Sequence, residues 1–447
     1  MGDEVAELDG ALAALGDNAP HARRNHRLGV LAGGFAGLAQ DFTHPEFLLV
    51  GLISALTHNV FLVALTLVIS KAGGLAPQLL VGQYIEHVPH RRRYFIILTV
   101  VRTIARLGLL AAMWWLTRRT DALALTAFFI AYTLACVAGG VSAVIFKDMV
   151  GRLIPANRVG GFFGMRHFLG GGLSILAGAF VVQPVLVAVA LPYNYLLLAA
   201  IGAVLMVTDM CLWCACREEP GVSARTRTTL RQALRRGMEW LRTDHNYRCY
   251  FWLRVAFRIN YLGMAFFIPY GVERLRYEGK GGVALLGGIM ITTVKLSSAV
   301  WGYVADRKGS RTTFLAAGVF FLVAPVLTLL APHLPGAFEL PVPTLTHGLD
   351  LPLCVFLFAL AAYGAASRAN IIAGQRFLIT SAPPERRPTY VSFLNTITSP
   401  LTLLPLAGAW LARAAGLDAL FIVLVGAALL YLAAAVRMVP ERAASRR

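Results

Sequence analysis

The stretch that decides the fold is Trp301–Leu315, WGYVADRKGSRTTFL. It carries Asp306, Arg307, Lys308 and Arg311, yet it lies between two long apolar runs, 282–304 and 312–331. Its spacing occurs once before. Gly302, Asp306 and Arg311 repeat Gly82, Glu86 and Arg91 of GQYIEHVPHRRR at an offset of 220 positions. A second pair of loops agrees: Pro155 and Arg158 of LIPANR recur as Pro383 and Arg386 of SAPPERR, 228 positions on. Matching loops in the same order in both halves indicate parallel repeats, a signature of transporters.

Composition fixes the class around these loops. The chain has 447 residues, 57% hydrophobic and 14% charged, with a mean hydropathy of +0.65. Apolar runs of about 18 residues or more recur from end to end, each long enough to cross a bilayer as a helix. The reading is an all-α membrane protein with about twelve transmembrane helices in two pseudo-symmetric six-helix bundles. The spans fall near 28–55, 60–87, 94–116, 121–147, 160–188, 192–215, 246–272, 282–304, 312–331, 351–378, 390–413 and 416–437, and are numbered 1 to 12 below. An outer-membrane barrel would show short alternating strands instead.

The formal charge of +18 does not point to nucleic acid, because Lys and Arg collect in the cytoplasmic loops of membrane proteins. The even-numbered links hold Arg91–Arg93, Arg152 and Arg158, then eight arginines in 217–248, then Arg307, Lys308 and Arg311, then Arg386 and Arg387. The opposite links carry few. Both termini are therefore expected in the cytoplasm, with the protein in a bacterial inner (plasma) membrane. The domain plan is a cytoplasmic tail 1–27, a bundle 28–216, a cytoplasmic linker 217–245, a bundle 246–438 and a basic tail 439–447. From Thr228 the linker reads as an amphipathic helix with Leu230, Leu234, Met238 and Leu241 on one face. Six cysteines give no disulfide framework, and Cys211, Cys214 and Cys216 lack a fourth ligand and a polar loop, so no metal or other cofactor is expected. No Walker A pattern is present, which argues against ATP-driven transport.

GYVADRKGSR is similar to the loop motif of the major facilitator superfamily: Gly, three residues, Asp, a basic residue, any residue, Gly, then basic residues. Ser310 alone departs, standing where a basic residue is usual. The resemblance extends over the whole chain in span count, halves and loop placement. In the first copy His87 replaces the basic residue and Pro89 the glycine. The resemblance implies a secondary transporter working by alternating access, with Gly82, Glu86, Arg91, Gly302, Asp306, Arg307, Gly309 and Arg311 serving a latch between states. Other family motifs are missing. Span 4 lacks the arginine of many proton-driven members, and span 5 lacks the Gly-Pro pair of drug antiporters. Both absences weaken the alternative of a multidrug or lipophilic-compound efflux antiporter. A membrane-embedded lipid-modifying enzyme is a further alternative, but no H-E-x-x-H, G-x-S-x-G or Asp-rich metal motif lies at a membrane face.

The resemblance places the cargo site near the midplane in spans 1, 4, 7 and 10. Charge inside spans is an independent guide. Each such side chain costs roughly 2.5–3.5 kcal/mol at a helix centre, so it should face a cavity or a partner. Span 1 contains AQDFTHPEF, where Asp41, His44 and Glu46 surround a helix-breaking Pro45. These residues suit proton or cation coupling. Span 2 adds Lys71, span 7 Arg258 and Asn260, span 8 Lys295, span 10 Arg368 and Asn370, and span 11 Asn395. Arg102, Arg106 and Asp209 also lie within spans, and one of the arginines is expected to pair with an acid of span 1 or 6. Basic residues outnumber acids, so the cavity attracts an anion. The expected cargo is a small organic anion or zwitterion, with a proton or cation as possible co-substrate, membrane lipids as surroundings, and a monomer as the working unit.

Overall fold

The computed structural model describes residues 21–42, 48–57, 60–75, 77–88, 91–218, 229–275, 280–336, 339–340 and 349–440. His44 and Glu46 fall outside these residues, and so do the side chains of Asp41 and Lys71. Among the described residues nine helical stretches are long and apolar enough to cross a bilayer. The longest, Leu285–His333, covers spans 8 and 9 together. It is interrupted at Gly309, whose φ of 83° and ψ of 168° leave helical geometry. A side chain there would meet the left-handed penalty of L-residues, which glycine escapes. Gly416, with φ 86°, interrupts the long helix of spans 11 and 12 in the same way.

Several spans are built from pieces. Helix Ala22–Phe42 begins span 1 earlier than the hydropathy suggests, and helix resumes at Val50–Thr57. Span 7 divides into His245–Asn260 and Gly263–Leu275. Span 11 divides into Arg387–Ile397, a short turn Ser399–Leu403 and a helix from Leu404. Pro400 lies within that turn and Pro405 just after it, where their missing N–H groups and fixed φ oppose an unbroken helix. Between spans 9 and 10, Glu339–Leu340 pairs antiparallel with Leu349–Asp350.

The chain divides into two compact units. Unit 1 is Met1–Gly237 with Leu378–Thr396, and unit 2 is Met238–Phe377 with Ile397–Arg447. In unit 1 spans 1 and 5 cross closely: a Cβ on Gly170 would stand 2.7 Å from the Gly33 carbonyl oxygen and 3.1 Å from Gly37 Cα. Without a strong hydrophobic drive between helices in lipid, such backbone contact is what holds them together. The start of span 1 is also tied to the end of span 6. Asn25 Nδ2 donates to the Arg217 carbonyl at 2.8 Å, and the Arg217 N–H donates back to Asn25 Oδ1 at 3.1 Å. In unit 2 the core is aromatic, with Phe267, Phe321, Tyr363, Phe421 and Tyr431 meeting edge-on or tilted.

The linker helix runs Leu230–Thr243. Ala233 and Gly237 are its buried residues. Leu230, Leu234 and Met238 remain exposed. The protein therefore covers the small-residue side of this helix and leaves the larger apolar side chains uncovered.

Candidate functional site

Groups of polar side chains stand out against the apolar background in both units. The first lies around the loop that follows span 2. Asp148, near the end of helix Ala122–Leu153, is fully shielded and accepts from Arg91 Nε at 2.8 Å and Arg152 Nε at 3.2 Å. Arg387 Nη1 stands 4.0 Å from its other oxygen. Burying one carboxylate among three guanidinium groups is tolerable only because each charge is offset by the others. Burial is also the main influence on Arg387, pushing its guanidinium below the ordinary arginine value; Asp148 opposes this, while Arg152 and Arg91 add to it. Glu218 completes the group. It accepts from the Arg91 and Arg92 N–H groups at 3.1 and 2.6 Å and stands 3.7 Å from Arg152 Nη1. It thus places a negative charge at the N-terminus of helix Arg91–Arg118.

Glu86 is buried beside this group. Its carboxylate accepts from Arg386 Nη1 at 2.9 Å and from the Thr389 N–H at 3.2 Å. Gly82, one turn earlier, leaves no room for a Cβ, which would collide with Ser392 Oγ and lie 3.0 Å from the Pro388 carbonyl oxygen. Asn395 belongs here too: its Nδ2 donates to Gln78 Oε1 at 2.6 Å, and both residues are buried. So Gln78, Gly82 and Glu86, spaced by four along one helical face, all meet the Leu378–Thr396 segment of unit 1.

In unit 2 the corresponding loop is wired differently. Asp306 pairs with Arg376, its Oδ1 standing 3.6 Å from Arg376 Nε. Arg376 Nη1 also donates to Ser310 Oγ at 3.2 Å. Ser310 is fully buried, and a basic side chain in its place would be pressed against Arg376. This explains the one departure from the motif. Arg311 Nη2 donates to the Val436 carbonyl at 3.1 Å, and Arg307 lies over the Tyr303 ring, 4.7 Å from its centroid. Gly302 is buried.

The second polar group of unit 2 forms around the break in span 7. Asn260 is the last residue of helix His245–Asn260, and its carbonyl accepts from the Tyr363 hydroxyl at 2.9 Å. Tyr363 is buried. The hydroxyl thus partners one carbonyl that the lost helical turn would leave open. Arg368 follows Ser367 and donates through Nε to the Val294 carbonyl at 3.0 Å, beside the half-buried Lys295. Arg258 lies one turn before the break, near Arg254, Tyr250 and Tyr261. Among the described residues no carboxylate neighbours Arg258 or Arg368. Asn370 is bonded elsewhere, its Oδ1 accepting from Tyr431 at 2.8 Å.

One functional-looking residue has no place in the sequence reading. Arg166 of span 5 donates to Asp209 of span 6 at 3.2 Å and to the Gly29 carbonyl of span 1 at 2.8 Å. Its guanidinium also lies over the rings of Phe146 and Trp213, at 5.0 and 5.6 Å. The ion-pair partner of Asp209 is therefore Arg166; Arg102 acts on it at longer range and donates to Met206 Sδ.

Comparison with known proteins identifies this architecture. Residues 296–447, which contain the second copy of the loop, match the Major Facilitator Superfamily. The chain has the major facilitator fold, and its C-terminal third matches that family's model. No curated protein sequence matches it. Solved structures with the same fold include a bacterial homologue of the iron transporter ferroportin in an outward-facing state, at TM-score 0.70 and 18% identity over 95% of this chain and 100% of that one. The human organic anion transporter MFSD10 (TETRAN) aligns at TM-score 0.60 and 14% identity over 94% and 99% of the two chains. The proton:xylose symporter XylE aligns at 0.64 and 13% over 94% and 95%. At these identities the likeness is one of fold. The protein is an integral multi-pass membrane protein whose fold is shared by these transporters.

Proposed function

We propose that the protein is a secondary active transporter that moves a small organic anion or zwitterion by alternating access. The observation that carries the cargo class is a pair of arginines within spans 7 and 10. Arg258 precedes the interruption of span 7 and Arg368 follows, by five residues, the Tyr363 that bonds its last carbonyl, and no carboxylate among the described residues offsets them. Uncompensated cations within a span favour a site that an anion completes. MFSD10, described as an organic anion transporter, shares the fold and is compatible with this reading. The Glu86–Arg386 and Asp148 contacts act as the latch, and the termini face the cytoplasm on the strength of the loop charges. Asp41, with His44 and Glu46, takes the coupling role.

Flux into proteoliposomes tests this with a panel of anionic, zwitterionic, neutral and cationic solutes and a divalent metal ion. Saturable uptake of an anion or zwitterion, abolished in Arg258→Gln, is expected. Uptake confined to neutral solutes, cations or metal would overturn the cargo class. A pH gradient should accelerate uptake in the wild type and not in Asp41→Asn; a proton-driven flux surviving that change removes Asp41 from coupling.

A further inference from the structure

At the start of span 7 and the end of span 12, unit 2 has a groove of about 310 Å³. Its polar end is formed by His245, Arg248 and Arg437, and its apolar end by Trp252, Leu430 and Ala433. All three polar residues are exposed, and so is Trp252, at 46%. The helices on either side are the apolar stretches His245–Leu275 and Ala407–Arg437, so the groove opens where both emerge from the bilayer. We propose that it binds the phosphate headgroup of an anionic phospholipid, with the first carbons of the acyl chains along Trp252 and Leu430.

The charge balance selects this occupant. Arg437 donates no hydrogen bond within the described protein that would occupy its guanidinium, while its carbonyl accepts from His245 Nε2 at 2.8 Å. Arg248 is held in place through Nη1, which donates to the Arg242 carbonyl at 2.9 Å, and its Nη2 lies 3.4 Å from His245 Nδ1. The nearest acid, Asp244, is engaged by the Tyr247 N–H at 3.0 Å as a helix cap. Two guanidinium groups above an apolar wall match a lipid phosphate above its chains, whereas a soluble phosphate would leave Trp252 and Leu430 unused. The linker helix that leads into the groove has exposed Leu230, Leu234 and Met238 beside its arginines, which suits the same membrane surface.

Native mass spectrometry of the full chain, released from mixed micelles of phosphatidylglycerol and phosphatidylcholine, tests the site. Retained phosphatidylglycerol should fall about fivefold in Arg437→Gln, one arginine's share of attraction to an anionic surface. Ala433→Trp, an exposed position that obstructs the groove without changing charge, should produce a similar loss. Arg413→Gln, exposed in the link before span 12, should retain the wild-type amount. Equal retention in all four proteins would overturn the proposal. So would displacement of the lipid by millimolar inorganic phosphate alone, which would mark a free-phosphate site.

Discussion

The loops after span 2 and span 8 share a spacing and differ in what they hold. In the first, the motif arginine Arg91 carries the buried pair, with Asp148 at 2.8 Å. In the second, the motif acid Asp306 carries it, with Arg376 at 3.6 Å. Asp148 and Arg376 occupy the same place in the repeat, 228 positions apart, so the partner's charge is reversed between halves. The reversal frees Glu86 from its own helix neighbours, and it bonds Arg386 and Thr389 instead. A motif therefore fixes where charge is placed but not which member is engaged. The engaged member is set by one residue on the following even-numbered span.

The largest contrast should come from the arginines. Arg91→Met leaves Asp148 buried with poorer compensation and should cost about 3–5 kcal/mol. Arg311→Met removes one bond to a carbonyl and should cost about 1 kcal/mol. Thermal unfolding in detergent reads both, and equal losses would break the comparison. The acids should differ less and in the opposite order of function. Glu86→Gln should lose about 1.5–3 kcal/mol of contact with Arg386 and change transport rate. Asp306→Asn, at a longer and partly solvated pair, should stay within about 1 kcal/mol and affect rate less. Gly309→Ala should cost about 1–2 kcal/mol for its positive φ, with near-equal losses at Gly416→Ala, whose geometry is the same.

The smallest effect concerns His26, near the start of helix Ala22–Phe42 and ahead of the apolar run that begins at residue 28. Burial, and then Arg158, lower its pKa from the ordinary 6.5. The folded state then binds fewer protons than the unfolded one near pH 6, so stability is present above 6.5 and lost as pH falls through the depressed value. The unfolding midpoint should drop between pH 7 and 5, and His26→Gln should flatten that drop.

Span positions, the two halves and the loops were legible because a bilayer dictates length and apolarity and places arginines at its faces. The breaks in spans 7 and 11 were less so; Pro400 and Pro405 signal the second, but nothing in FRINYLG announces the first. Arg166 was hidden because it lies inside an apolar run six residues past its start, where it reads as loop-end charge. The charge of Asp209 was visible and its partner was not, since three helices must be packed before Arg166 meets it. Nor does a helical sequence say which way an amide points. Asn370 and Asn395 look alike in their spans, yet one bonds Tyr431 and the other Gln78.

The central claim is that the contacts around Glu86 open during transport. Ser392 tests it directly, because it is fully buried against Gly82. In a protein freed of its native cysteines, Ser392→Cys should react slowly with a membrane-impermeant thiol reagent at rest. Adding Glu86→Gln, or cargo during turnover, should speed the reaction at least several-fold. Identical labelling rates in all three conditions, with transport intact, would contradict the account.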